Sequence, residues 1–464
     1  MTSMLRPWPG TYKAAFFLVM LPWLFIPAGA RGQQRSRITL RQAVEIALKN
    51  NPARKAALAE SKAASADVEQ ARSSLLPHIQ FFENITDSND PVYVFGSKLR
   101  EHQFTAADFA LNVLNKPTPL TNFSTGFSGT WNLFDSFASW HAVDRAKRAQ
   151  DAASQQLSRT DQELVLGVVD SYYSVLLAQS ELQVEQQAMN TAQSILERSK
   201  NRVDSGVAIQ SDYLAAQVRF ATRQQELIRA QNDLALARAQ LSSSMGMQVS
   251  SQFDPADTFA ERVLPAIMIE DAEKLALRNR PDLLQIRAEE AAQQQSVAAA
   301  KSAFGPRVDA FANWEADNPT FLSGGGGDNW TAGVEIRVDL FQGGAKRAHL
   351  AHEQALEDKL DASREEETNA VQLQVRRAYY EFDSALQQIR VTRSSIAESQ
   401  ESLRLNRNRY DAGLLTITDL LAAEDTARRA QTDYLESLYR YYTGYAYLEL
   451  ASGALSIQSP VVTP

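Results

Sequence analysis

The chain has 464 residues, a formal net charge of −8 and no cysteine. An acidic chain without a long basic run argues against nucleic acid as a partner. Without cysteine there is no basis for disulfides, thiolate metal sites, cysteine nucleophiles or a lipid anchor on cysteine.

The first 30 residues have the layout of a secretory signal peptide. Arg6 and Lys13 precede an apolar run over 14–26, and Ala28-Gly29-Ala30 follows it. A membrane-anchoring helix is the alternative, but spanning takes about 20 apolar residues and this run is shorter. We therefore predict a cleaved signal peptide at 1–30 and an exported mature protein.

The second half of the chain repeats the first. Residues 43–77 align without a gap on 272–306, and 131–246 align on 338–453. A unit this long, present twice, suggests a pseudo-two-fold rather than a solenoid of short modules. The predicted division is repeat 1 at 31–246, a linker at 247–267, repeat 2 at 268–453 and a C-terminal tail at 454–464.

Each repeat is predicted to open with a helix. Thr39 is a suitable N-cap with Gln42 three positions on, which is the pattern of a capping box. Pro77 and Pro306 end this helical segment in the two copies.

The hydrophobic period then changes from about 3.6 to 2, which predicts two strands in each copy. These four strands are placed at about 78–87, 123–134, 307–315 and 329–341. A water-soluble sandwich is the commoner source of such alternation, but four strands make a poor sandwich. Eleven alternating residues reach about 36 Å, enough for a tilted strand across a membrane. The predicted lipid-facing residues are Phe123, Phe127, Trp131, Trp330, Val334 and Ile336.

Long helical hairpins follow, at about 137–245 and 344–452. Val168, Val175 and Leu182 begin a stripe with a period of seven, and the second copy has matching positions from Val375. A sustained heptad stripe is typical of a coiled coil. Helices of this length are too long for a globular core.

Both hairpins turn at Asp-x-Gly, in Asp204-Ser205-Gly206 and Asp411-Ala412-Gly413. Asp212 and Asp419 lie where the next helices begin. Favourable placement at a helix N-terminus explains them at least as well as the alternative, which is a ring of carboxylates that holds or filters cations. We find no nucleophile elbow, phosphate loop or zinc-protease motif, so we predict no enzyme activity, no cofactor and no metal site.

Repeated motifs make the resemblance to a known family specific. They are the tandem AxxxALxxNP opening (Ala43–Pro52 and Ala272–Pro281), the SxLLP helix end (Ser73–Pro77), the Leu-Phe strand end and the N-R-x-D-x-G turn. On these motifs, residues 38–453 resemble the TolC-like family of outer-membrane efflux proteins.

The resemblance implies a mixed fold with an internal two-fold repeat. Three protomers of four strands each would form a 12-stranded outer-membrane β-barrel, continued by a long α-helical coiled-coil barrel in the periplasm. From the residues alone, four strands cannot close, since single-chain membrane barrels start at about eight. A dimer and a trimer both satisfy this requirement, and the resemblance selects the trimer.

The resemblance also assigns roles at the hairpin turns. Tyr410 and Asp419 match positions that help to hold the periplasmic entrance closed, and Asp212 is the copy-one counterpart. The turns that an adaptor grips match Gly206, Val207, Gly413 and Leu414. The chain departs from the family's pattern at Leu415, where arginine is expected, and at Ala422, where another aspartate is expected.

The predicted function is a passive trimeric channel in the cell outer membrane, gated at the helical tip. It would be the exit duct of a tripartite efflux or type I secretion system. Its expected partners are outer-membrane lipid, a periplasmic adaptor and an inner-membrane pump, and no nucleic acid. The alternative is a soluble periplasmic coiled-coil adaptor or scaffold protein.

Overall fold

The computed structural model of the protein describes residues 36–251, 253–321 and 327–463. The signal peptide predicted at 1–30 lies outside these ranges. One order of elements occurs twice: a short strand, two helices, two long strands and a hairpin of two long helices.

The first copy comprises β1 (Ser36–Ile38), α1 (Leu40–Asn50), α2 (Pro52–Ser73), β2 (His78–Ser88), α3 (Pro91–Arg100), α4 (Leu111–Asn115), β3 (Leu120–Phe134), α5 (Ala138–Asp204) and α6 (Gln210–Ser244). The second copy comprises β4 (Phe253–Pro255), α7 (Ile269–Asn279), α8 (Pro281–Ser302), β5 (Arg307–Asn318), β6 (Asp328–Arg337), α9 (Ala345–Asp411) and α10 (Ile417–Ala451). Among the described residues, only the first copy has helices, α3 and α4, between its two long strands.

The first helix begins as predicted. The backbone N–H of Gln42 donates to Thr39 Oγ1 at 3.3 Å, and the backbone N–H of Thr39 donates to Gln42 Oε1 at 3.0 Å. This is the expected capping box. Pro52 then starts α2, and Pro281 starts α8 in the other copy, at a helix position where a missing N–H costs no hydrogen bond.

The end of each helical hairpin is fastened to the start of its own repeat. Gly246 follows α6 with a φ of +68°, and a Cβ there would lie 2.6 Å from Asn51 Cα. Gly453 follows α10 with a φ of +73°, and its Cβ would lie 3.0 Å from the backbone N of Arg280. Arg280 Nη1 also donates to the Ala451 carbonyl at 3.3 Å. The two repeats therefore share equivalent contacts as well as similar sequences.

The four long strands form one antiparallel sheet in the order β2-β3-β5-β6. The register aligns Phe81, Phe127, Trp314 and Trp330 in one row across all four strands. Because side chains alternate along a strand, this register collects the large apolar side chains on one side, called here the apolar face. The solvent-exposed members of the apolar face are Ile79, Phe81, Ile85, Phe127, Trp131, Trp314, Trp330, Val334 and Ile336.

The opposite, polar face carries two aromatic rings at equivalent places in the two repeats. Phe82 lies against Gly126, where a Cβ would come 2.6 Å from the ring. Phe311 lies against Gly333, where a Cβ would come 2.7 Å from the ring. Glycine inside a strand often marks such close approach, and here it makes room for an aromatic ring.

Three strand boundaries differ from the prediction by three residues or more. The strand predicted to end at about 315 continues to Asn318, which pairs with Phe123. The last strand, predicted over 329–341, ends at Arg337. Its partner β5 begins at Arg307, which pairs with Arg337, so no strand among the described residues lies beside those that follow Arg337. The strand predicted from 123 begins at Leu120, because β2 continues to Ser88 and pairs with it there.

The helical hairpins have equal dimensions in the two copies. Helices α5 and α9 have 67 residues each, and α6 and α10 have 35 each. At about 1.5 Å per residue the longer helices reach roughly 100 Å. Helix α5 packs on α6 and α10, and α10 packs on α9, so the four helices lie in the order α6-α5-α10-α9. No described helix combines the length and apolar character needed to cross a membrane.

Candidate functional site: the helical tip and the apolar face

The turns of the two hairpins lie side by side at one end of the helical layer. Ile195, Ala216, Tyr410, Leu420 and Leu421 form a small buried core there. The core draws on α5 and α6 from repeat 1 and on α9 and α10 from repeat 2, so it joins the two repeats at the tip.

Arg202 binds the end of the opposite hairpin. Its Nη1 donates to the carbonyls of Tyr410 and Asp411, at 3.1 Å each. Its guanidinium carbon lies 5.0 Å from the centroid of the Tyr410 ring, a cation–π distance. Arg198 Nη1 adds an ion pair of 3.3 Å with Asp411 Oδ2. The last carbonyls of α9, which lack partners within their own helix, are thus capped by an arginine from the other repeat.

The predicted gate residues have different environments. Tyr410 is buried, with 3% of its surface exposed, and its hydroxyl lies 3.4 Å from Ser199 Oγ. Asp419 is exposed in the first turn of α10, and Thr416 is the N-cap of that helix: Thr416 Oγ1 donates to Asp419 Oδ2 at 2.6 Å and accepts from the Asp419 N–H at 3.3 Å. Asp212 is half-buried in the first turn of α6. Among the described residues, no hydrogen bond joins either aspartate to Tyr410.

The sequence prediction omitted Arg202 and Arg198. Arg202 belongs to the repeated N-R-x-D-x-G motif, which carries Arg409 at the same place in the second copy. The motif alone therefore marks both arginines equally. Only Arg202 has a described contact with the neighbouring hairpin.

The two turns expose apolar side chains. Gly206 and Gly413 adopt φ values of +71° and +76°, the left-handed conformation that closes a helix end. Val207 and Leu414 follow them and are 66% and 77% exposed. An exposed apolar pair beside ordered turns suits contact with another protein.

Above the tip, six charged side chains connect the repeats; we call them the inter-repeat ion cluster. They are Glu185 from α5, Arg219 and Arg223 from α6, and Glu424, Asp425 and Arg428 from α10.

Arg223 is the centre of the inter-repeat ion cluster. It is 2% exposed, it contacts Asp425 closely, and it lies 3.7 Å from Glu424 and 3.9 Å from Glu185. Arg219 Nη2 lies 2.6 Å from Asp425 Oδ2. Burial raises the pKa of Glu424 despite the arginines around it. Burial also acts to raise the pKa of Asp425, but Arg219 and Arg223 outweigh it and leave that pKa below its usual value.

The apolar face of the sheet exposes several large hydrophobic side chains next to one another. The structure places Phe127, Trp131, Trp330, Val334 and Ile336 on it, between 45% and 77% exposed. The sixth predicted residue of this set, Phe123, is half-buried on the same face against Phe321. Contiguous exposed apolar surface of this size marks contact with a membrane or another protein.

Comparison with known proteins gives a family and a fold. The family model described as "Outer membrane efflux protein" matches residues 43–247 and 273–454. The proteases secretion protein PrtF of Dickeya chrysanthemi is 23% identical over 92% of this chain and 90% of its own length. The outer membrane protein TolC of Vibrio cholerae is 25% identical over 95% of this chain and 96% of its own.

A solved structure agrees over almost the whole chain. The CmeC outer membrane channel of Campylobacter jejuni superposes with a TM-score of 0.77 at 16% identity, covering 98% of this chain and 96% of its own. At that identity the likeness concerns the fold. It confirms the predicted class of a few strands joined to a long helical barrel with an internal repeat.

Proposed function

The chain belongs to the outer membrane efflux protein family, and from that membership we propose that three copies form a gated exit duct through the outer membrane. The observation that carries the proposal is the open sheet. Among the described residues, the edge strands β2 and β6 each lack a partner on one side, and unpaired edges recruit further strands. Three copies of four strands would close without an edge.

In this arrangement the apolar face is turned to the lipid of the outer membrane. Phe127, Trp314 and Trp330 would then contribute to the aromatic surface that membrane barrels present. The polar face would line the channel. Heat-modifiable trimeric migration of membrane-extracted protein on a denaturing gel would support this assembly, and a monodisperse monomer that is soluble without detergent would contradict it.

The duct itself supplies no energy and no chemistry in this proposal. The similar proteins PrtF and TolC carry names of secretion and outer-membrane function. By analogy, we infer that the chain serves a tripartite efflux or type I secretion system, with a periplasmic adaptor and an inner-membrane pump. Family membership and the exposed apolar face both argue against the alternative of a soluble periplasmic adaptor.

The adaptor would dock on the two turns. Val207 and Leu414 give it apolar contacts, and Gly206 and Gly413 fix the shape of the backbone beneath them. Val207→Ser together with Leu414→Ser should weaken co-purification with the periplasmic adaptor. Assembly in the membrane should stay unchanged, because neither side chain belongs to the buried core of the tip. Undiminished co-purification would remove the turns from the proposal.

The gate is proposed to rest on Arg202 and Tyr410. Arg202 ties the tip of repeat 2 to the tip of repeat 1, so releasing it should let the second hairpin move. Arg202→Ala is expected to raise single-channel conductance in planar bilayers several-fold. Arg409→Ala is the matched control, since it removes the arginine of the same motif in the other repeat. Equal conductance in wild type and Arg202→Ala would contradict the gate.

Asp419 and Asp212 remain candidates for a cation-binding ring at the entrance. Asp419→Asn should remove block by multivalent cations and raise conductance, because it neutralises an exposed carboxylate while keeping a side chain that can accept the Thr416 hydrogen bond. Unchanged block and conductance would leave Asp419 with a role at the start of its helix alone.

A further inference from the structure

The insertion between β2 and β3, residues 91–117, folds over one end of the sheet. Phe95, Phe104 and Phe109 hold it together by edge-on ring contacts, with centroids 4.7 and 5.1 Å apart. Arg100 Nη1 reaches Glu315 Oε1 on the polar face at 3.4 Å. At Gly327, next to the start of β6, a Cβ would lie 3.3 Å from Glu101 Cα. The insertion thus covers the polar face where the sheet ends.

Beneath it lie three buried side chains with unsatisfied oxygens. Glu101 is 7% exposed, Asp317 1% and Asn122 5%. Asn122 Nδ2 donates to Asp317 Oδ1 at 2.5 Å. Four other side-chain oxygens have no described hydrogen-bond partner: both of Glu101, Oδ2 of Asp317 and Oδ1 of Asn122. Buried polar atoms nearly always have a hydrogen-bond partner. Four buried oxygens without one therefore point to a missing partner.

The local charges identify that partner as a cation. The nearby cations on α3 are each paired elsewhere: Lys98 with Asp108 at 2.7 Å, and Arg100 with Glu315 at 3.4 Å. No described ion pair within 4.0 Å neutralises Glu101 or Asp317. Two buried carboxylates therefore share a charge of −2, which is costly without compensation. Burial and the Asp317 carboxylate raise the pKa of Glu101, against the opposing charge of Lys98.

We propose that Glu101, Asp317 and Asn122 bind a divalent cation of the calcium type, which fastens the insertion across the end of the sheet. Hard cations of this type take carboxylate, amide and backbone oxygens in flexible geometry. The amide oxygen of Asn122 is a neutral ligand of that kind. The carbonyls of Arg100 and Asp317 also converge here, within 2.8 and 2.4 Å of where a Cβ on Gly327 would lie.

The site differs from a cluster built on acids alone. Among the described residues, no three histidine, aspartate or glutamate side chains gather as a metal site. Two carboxylates completed by neutral oxygens suit a weak site, and extracellular calcium modules bind at about 10⁻⁴–10⁻³ M. In the proposed trimer the insertion would lie at the outer mouth of the barrel, and the cation would hold it over the opening. The cation site itself does not depend on that assembly.

Calcium titration of the purified full-length protein tests the site. After removal of divalent ions, calorimetry should show one Ca²⁺ per chain with a dissociation constant on the order of 10⁻⁴–10⁻³ M. Glu101→Gln and Asp317→Asn should each weaken binding at least tenfold. Glu315→Gln is the control, since it removes a neighbouring carboxylate that Arg100 already neutralises, and it should leave the affinity within twofold. Binding that is absent, or equal in all four proteins, would overturn the proposal.

Hydrogen–deuterium exchange provides a second readout that does not depend on channel activity. Ca²⁺ should slow exchange over 91–117 in wild type at pH 8 and leave Asp317→Asn unaffected. If a proton rather than a metal satisfies Glu101, protection will be lost on raising the pH whether or not Ca²⁺ is present, and the cation site is then refuted. Altered gating in Arg202→Ala would have no bearing on either result.

Discussion

Arg223→Met tests whether the inter-repeat ion cluster holds the two hairpins together. Arg223 is 2% exposed and faces Glu185, Glu424 and Asp425. Its removal leaves three carboxylates against the two arginines that remain in the cluster. Removing one partner of a buried ion pair costs about 3–5 kcal/mol, because the remaining charge stays buried without compensation.

The expected change in melting temperature follows from the size of the chain. Unfolding entropy is about 2.1 cal/mol/K per residue, so 464 residues give about 1 kcal/mol/K. A loss of about 3–5 kcal/mol then lowers the melting temperature by about 3–5 °C when the chain unfolds as one unit. Helical circular dichroism of the detergent-solubilised protein, recorded at one fixed scan rate, measures the shift.

Two further variants make the test specific. Arg229→Met removes an arginine of the same helix whose side chain is 61% exposed and pairs with Glu226 at 3.0 Å, so it should shift the melting temperature by less than about 1 °C. Glu424→Leu, added to Arg223→Met, restores equal numbers of positive and negative charges and should recover at least half of the loss. An Arg223→Met shift no larger than that of Arg229→Met would refute the reasoning.

Three other outcomes follow from the same structure. Burial raises the pKa of Glu449 to about 7 from its usual 4.5, so ionising it destabilises the fold as pH rises between these values. Glu449→Gln should then be more stable than wild type above pH 7, by at most about 3 kcal/mol at about 1.4 kcal/mol per pH unit. Below pH 4 the two proteins should be equally stable. Thermal melts that show the same advantage at every pH would contradict this expectation. Gly246→Ala should lower the melting temperature more than Gly206→Ala. Both positions have positive φ, but of the two only Gly246 has backbone within 4 Å of the added Cβ. Equal shifts in melting temperature would contradict this expectation. Val334→Arg on the apolar face should abolish outer-membrane assembly, because a charge in the lipid layer costs about 2–4 kcal/mol. Thr331→Arg on the polar face should still assemble. Gels of membrane fractions measure the amount of assembled trimer for each variant, and equal amounts would contradict the assignment of the two faces.

Much of the architecture follows from local sequence rules. The two-residue period over 123–133 specifies a strand and its faces without knowledge of its partners. The Asp-x-Gly turns specify where each hairpin reverses, since glycine closes a helix end in the left-handed conformation. The capping box at Thr39 is equally local. Each of these features depends on residues a few positions apart.

The remaining features depend on residues far apart in the chain. Arg223 meets Asp425 only because α6 and α10 are brought together by the fold, and on its own helix it resembles an ordinary solvated arginine. Arg202 and Arg409 occupy the same motif, so no local rule decides which one binds the other hairpin. The early end of β6 is set by where β5 starts, which is information held by its partner strand.

The inter-repeat ion cluster is present at one junction and absent from its pseudo-equivalent. At the offset of 207, the six charged residues correspond to neutral ones in the other copy: Thr392, Thr426, Ala430, Gln217, Val218 and Ala221. In a ring made from six copies of a single repeat, any substitution would occur at all six junctions between neighbouring repeats. Fusing two repeats into one gene removes that constraint. The junction within a chain and the junction between chains can then diverge independently. In the proposed trimer, rigid joints would alternate with compliant ones around the ring, an arrangement that identical single-repeat subunits cannot encode.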